Sequence, residues 1–213
     1  MDSPRTRGFA YRCRVTSPQA TQAASDDLKT VLTWSGDQVT RLEQARVQVS
    51  GLRVKAYGQI IAAATDSHPA FGANYDLVTD DAGVTRRLAV HMIRESGESH
   101  VSITRDGEST WLIQSASGTE RGDFNGAQDV DLVLSPLFNA LPIRRMELHK
   151  TASDPVDVPL VYLRLPEGTV EPVTSRYSSD GSSVAIQSPV GDVTLTTDAA
   201  GFVVDYPGLS RRV

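Results

Sequence analysis

Four short turn signals constrain this chain more than any other feature. They are Asp80-Asp-Ala-Gly83, Arg105-Asp-Gly-Glu108, Ser179-Asp-Gly-Ser182 and Asp198-Ala-Ala-Gly201. Asp-Gly pairs favour the type I′ hairpin turn, and Asp-x-x-Gly suits a type I turn closed by a left-handed glycine. Each signal lies between runs in which apolar and polar residues alternate. Such a chain folds as antiparallel strands joined by tight turns.

The flanking runs agree. "KTVLTW" (29–34) is rich in β-branched residues, and "ARVQVSGLRVKAYGQIIAAA" (45–64) alternates through Val47, Val49, Val54 and Ile60. One short segment, 136–141, reads as helix: Ser135 can cap it, Pro136 suits its first turn, and Pro142 should end it. Residues 1–27 lack an apolar period and are expected to be a flexible tail, with 28–213 forming one domain.

Net charge is −5, which argues against nucleic acid as a partner because phosphate binding needs clustered positive charge. The single cysteine, Cys13, excludes a disulfide framework. No apolar run approaches the roughly 18 residues of a membrane span, and the N-terminus has no apolar core of a secretory signal. A cytoplasmic protein that is not integral to a membrane is the expectation.

The common catalytic fingerprints are missing: there is no nucleophile elbow, phosphate loop or dinucleotide motif. His68, His91, His100 and His149 are not at metal-ligand spacing, so neither a metal nor a cofactor is expected. Asp129 and Asp131, in "DVDLVL", project from one strand face roughly 6.5–7 Å apart. Paired carboxylates at such distances can act as acid and base on a glycoside, or can simply form an acidic face.

Two Arg-Arg pairs complete the candidates. Alternation in "TRRLAVHM" places Arg86 with Leu88, Val90 and Met92, and Arg87 on the other face. If "PIRRMEL" is a strand, Arg144 shares a face with Met146 and Leu148, and Arg145 shares one with Ile143 and Glu147. An arginine in an apolar row must find an anion. Asp76, Asp80, Asp129 or Asp131 would make that anion a neighbouring aspartate; a ligand's polar head is the alternative. The aromatics, among them Trp34, Tyr75, Phe138, Tyr162, Tyr177 and Tyr206, either fill the core or line a cavity in a partly closed sheet.

The run "DVDLVLSPLFNALPIRRMEL" (129–148) resembles the signature of the bacterial glycolipid-binding protein family. "LTW" (32–34), "TRRLAV" (85–90) and "DAAGFVVDYPGLSRR" (198–212) extend the resemblance over about 30–212. Phe138 departs from it, standing where the family commonly has a threonine before the asparagine. The resemblance implies an all-β fold, one long antiparallel sheet curled into an open half-barrel with little helix. It also implies a lipid or glycolipid as partner, held by an apolar concave face. Arg86, Arg87, Asp129, Asp131, Asn139, Arg144 and Arg145 match its motif positions, and the arginines would meet the polar head. Catalysis is not expected. A hydrolase using Asp129 and Asp131, or a ligand-free interaction domain, are the alternatives.

Overall fold

A computed structural model describes residues 27–213; the expected tail, save Asp27, and Cys13 lie outside the described residues. One arm of the fold is a meander of eight strands. These are β1 (Leu28–Gly36), β2 (Arg41–Ser50), β3 (Arg53–Ala62), β4 (Phe71–Thr79), β5 (Thr85–Arg94), β6 (Gly97–Arg105), β7 (Trp111–Ser115) and β8 (Gly118–Gly122). The second arm begins with β9 (Asp129–Leu132), followed by the helix α1 (Pro136–Arg145). It continues with β10 (Ala152–Leu163), β11 (Val170–Asp180), β12 (Val184–Ser188), β13 (Gly191–Thr197), β14 (Val203–Tyr206) and β15 (Ser210–Arg212). All fifteen strands form one sheet that is not closed into a barrel, and β1 pairs with β15 where the arms meet.

All four turn signals join neighbouring antiparallel strands. In each, the aspartate carboxylate accepts backbone N–H groups further along the turn. Asp80 takes Ala82 and Val84, Asp106 takes Glu108 and Thr110, Asp180 takes Ser182 and Ser183, and Asp198 takes Ala200 and Phe202. Gly83 and Gly201 supply the left-handed residue, with φ of +80° and +83°. The second turn departs from expectation: Ser109, not Gly107, takes that position, at φ +69°.

Alternation in the first arm turns one face of β2 to β5 inward. Ala45, Val47 and Val49 of β2 pack with Ala56 and Ile60 of β3, Tyr75 and Leu77 of β4, and Leu88, Val90 and Met92 of β5. No helix among the described residues is long and apolar enough to cross a membrane.

Two features of the second arm correct the reading of the sequence. First, α1 continues past Pro142 to Arg145, so "PIRRMEL" is not a strand. A proline inside a helix removes one N–H donor and crowds the preceding turn, a cost of about 3 kcal/mol. Burial offsets that cost, for nine of the ten helical residues are buried. Leu137, Phe138, Ala140 and Leu141 enter the main core, and Ile143 joins a smaller one with Leu160, Tyr177 and Ile186. The helix therefore occupies interior space that an open concave face would have left for acyl chains. Second, β9 and β10 pair in parallel, which requires a crossover, and α1 is that crossover. The sheet is otherwise antiparallel.

Candidate functional site

The helix divides the candidate arginines. Arg144 donates to the backbone carbonyls of Ala200 and Gly51 and lies 5.3 Å from the centre of the Phe202 ring. The aspartate expected for it goes instead to Arg145, whose Nη2 is 2.5 Å from Oδ2 of Asp129. Consecutive helical residues diverge by about 100°, which separates the two guanidinium groups in a way strand alternation did not describe. Asp129 is fully buried, and burial pushes its carboxyl up while Arg145 pulls it back.

Arg86 is also displaced from its expected apolar row. Thr79 faces Thr85 while Val78 faces Arg87, so Arg86 is the extra residue of a bulge. It reaches Asp80 at 3.2 Å and the Asp106 carbonyl at 2.8 Å. Arg87 pairs with Asp76 at 3.1 Å on the outer face, both about half exposed. Neither arginine is paired with Asp131.

Asp131 and Asn139 do come together, in a cavity of about 320 Å³ in the second arm. Its wall is formed by Asp131 on β9, the loop 133–135, Asn139 on α1, Tyr162 on β10, and Ser175 and Tyr177 on β11. Ile186 and Ser188 of β12, Asp192 and Val193 of β13, and Tyr206 of β14 with loop 207–209 complete it. Tyr162 faces Asp131 across the parallel ladder. Leu134, in the loop, takes φ +73°, a conformation that costs a leucine about 1 kcal/mol or more.

Polar groups in this wall lack protein partners. The Asp131 side chain makes no hydrogen bond or ion pair with any described residue. Oδ1 of Asn139 is buried without a partner, while its amide neighbours the Tyr177 hydroxyl. Burial, and then the charge of Asp129, push the Asp131 carboxyl up to about 7. Burial, and then the charge of Asp131, push Tyr162 and Tyr206 up to about 12 and also raise Tyr177 well above its ordinary value. One carboxylate thus couples electrostatically to three phenols. The lining includes no lysine, arginine or histidine.

A second buried carboxyl lies behind the cavity floor. Glu43, 1% exposed, accepts Tyr75 Oη at 2.6 Å and Ser135 Oγ at 2.5 Å, both on Oε1. Ser135 was expected to cap α1, but its hydroxyl is committed to Glu43. Arg41, also buried, donates to the Leu209 carbonyl at 2.6 Å, and its charge favours ionised Glu43. Burial outweighs these three partners and raises the Glu43 carboxyl to about 7. Tyr75 reaches Glu43 by lying across Gly58, where any Cβ would overlap its ring.

Sequence reasoning missed Asp192, for which no motif exists, and the Arg41–Glu43 pair. The latter carried a signal: alternation in "RLEQARVQV" puts Arg41 and Glu43 on the row of Ala45, Val47 and Val49. The three cavity tyrosines were among the aromatics expected either in the core or around a cavity.

Comparison with known proteins agrees with this architecture. A family model described as "Putative glycolipid-binding" matches residues 31–212. A crystal structure of a DUF1089 family protein from Pseudomonas aeruginosa superposes with a TM-score of 0.64 at 21% identity. That superposition covers 98% of this chain and 100% of the other, so the two share a fold. None of the curated proteins matches. The chain belongs to the family described as putative glycolipid-binding.

Proposed function

With that membership as premise, we propose that the chain binds the hydroxyl-rich head of a glycolipid in the Asp131 cavity, without carrying out a reaction. One observation supports this reading above others. Three tyrosines surround the Asp131 carboxylate, which accepts no hydrogen bond, and Asn139, whose Oδ1 is buried without a partner. Sugars match such a wall, because their C–H faces pack on aromatic rings while their hydroxyls hydrogen-bond to carboxylate and amide groups. The volume lies at the lower end of small-molecule sites, about 300–1,000 Å³, and suits a sugar head better than a diacyl tail. Because α1 fills the interior, the acyl chains leave along the apolar rim of Leu134, Val190 and Leu209. Arg86, Arg87, Arg144 and Arg145, occupied elsewhere, have no part in it.

Binding fits the acids better than turnover does. Asp129 is closed off by Arg145 and is not part of the cavity wall, so Asp129 and Asp131 do not face a common substrate. Calorimetry and native mass spectrometry with a single-chain alkyl glucoside test the reading. The expected outcome is a one-to-one complex from which intact glycoside is recovered, weakened at least about tenfold in Tyr206→Ala. No complex with any alkyl glycoside, or unchanged affinity in Tyr206→Ala, overturns it. Recovery of free sugar and alcohol puts a hydrolase in its place.

A further inference from the structure

The charge of the cavity points to a narrower ligand class. A glycolipid head can be neutral, acidic through phosphate, sulfate or uronate, or basic through an amino sugar. An acidic head needs arginine, lysine or a cluster of backbone N–H donors. The cavity wall offers none of the three cationic residue types and carries two carboxylates, Asp131 and Asp192. Arg41, behind the floor, is committed to the Leu209 carbonyl and faces Glu43, and a second cation, Arg164, lies over the Tyr162 ring at 5.2 Å. It is already paired with Glu171 at 2.7 Å and is not part of the lining.

Asp131 adds a positive requirement. It is partly buried, open only to the cavity it lines, and has no counter-ion among the described residues, whereas its neighbour Asp129 has Arg145. A buried carboxylate without a partner is costly, and a ligand that brings a cation removes the cost. The tyrosines strengthen the match, because aromatic walls around a carboxylate are a recognised setting for ammonium groups. Asn139, 6% exposed with an unpartnered oxygen in the same wall, accepts a further N–H or O–H.

We infer that the cavity is specific for an amine-bearing sugar head, with Asp131 as the counter-ion that selects it over neutral and acidic heads. The inference rests on the head-group reading above and is separable from it by experiment. The 213-residue chain is titrated by calorimetry with four alkyl glycosides of equal chain length. These are a glucoside, its 2-amino and 6-amino analogues, and a glucuronide. The expected order is an amine tighter than the glucoside by about tenfold or more, with the glucuronide weakest. Asp131→Asn should erase the amine preference, so that the amine and the glucoside bind that variant within about threefold of each other. Arg164→Gln, which changes charge near the aromatic wall but outside the lining, should preserve the order.

Binding of the glucuronide as tightly as the amines, or an amine preference that survives Asp131→Asn, overturns the inference but leaves the head-group reading standing. Failure of all four glycosides to bind overturns both. Thermal unfolding of Asp131→Asn, expected to be cooperative, guards against a folding artefact. If that variant does not fold, Asp131→Ser is titrated with the same four ligands and the same criteria.

Discussion

Two carboxyls, the buried Glu43 and the partly buried Asp131, are both raised to about 7, yet their surroundings differ in kind. Glu43 joins the two arms: Tyr75 approaches from β4, Ser135 from the loop before α1, and Arg41 from its own strand. Asp131 has no donor and faces a cavity. The shared titration comes from burial and does not by itself mark a ligand site. What distinguishes the two is that Oε1 of Glu43 accepts two hydroxyls, although its Oε2 is buried without a partner, whereas the Asp131 carboxylate accepts none. A carboxylate that ties three elements together stabilises the fold, whereas one held against open space with no partner is a cost that a ligand can relieve.

The comparison breaks most visibly on the Glu43 side. Glu43→Ala leaves the Tyr75 and Ser135 hydroxyls and the Arg41 charge with fewer partners and opens a void. A loss of about 4 kcal/mol in denaturant unfolding is expected. Gly58→Ala acts one step earlier: the new methyl collides with the Tyr75 ring and lifts its hydroxyl from Glu43. About 3 kcal/mol should be lost, and a double variant with Tyr75→Phe should be non-additive. Additive losses would mean that Gly58 does not act through Tyr75.

The pH dependence of stability sharpens the contrast. Asp131 moves from 3.8 to about 7, and Glu43 from 4.5 to about 7. Between those values the folded protein holds protons that the unfolded chain has released. Each group therefore stabilises fully below its unfolded value, and that contribution is lost as pH rises to about 7. The groups around Asp131 include Asp129, Asp192, Tyr162, Tyr177 and Tyr206; Tyr162, Tyr177 and Tyr206 titrate well above this window. Asp131→Asn should flatten part of the decline and raise stability at pH 7 by about 1–2 kcal/mol. An unchanged slope between pH 4 and 7 would show that Asp131 ionises freely and is not held in a costly state.

How much of this was legible depends on the range of the interaction. The four aspartate turns and the alternating strands are local, and local signals identified the all-β fold. The Arg41–Glu43 pair was legible too, since strand period alone places both in the apolar row of β2. Pro142 concealed the last turn of α1, because its local penalty is outweighed by burial against elements far away in sequence. That same error misassigned Arg144 and Arg145. The cavity was the least legible feature: Asp131, Tyr162 and Tyr206 converge from three separate strands, and no spacing rule connects them. The family signature did include Asp131 and Asn139, but together with Arg86, Arg87, Asp129, Arg144 and Arg145, none of which lines the cavity.

The smallest expected effect separates motif membership from function. Arg87 belongs to the family motif, yet its guanidinium meets Asp76 on a half-exposed outer surface. A pair of that kind contributes about 0–1 kcal/mol, screened further by salt. Arg87→Ala should therefore change unfolding free energy by less than about 1 kcal/mol and leave the affinity for an alkyl glycoside unchanged. Arg145→Ala, from the same motif, should be severe by comparison, because it strands Asp129 in the interior without its counter-ion. If Arg87→Ala instead abolished binding while Tyr206→Ala did not, the ligand would sit on the outer face of β3–β5, and the Asp131 cavity would lose its claim to the head group.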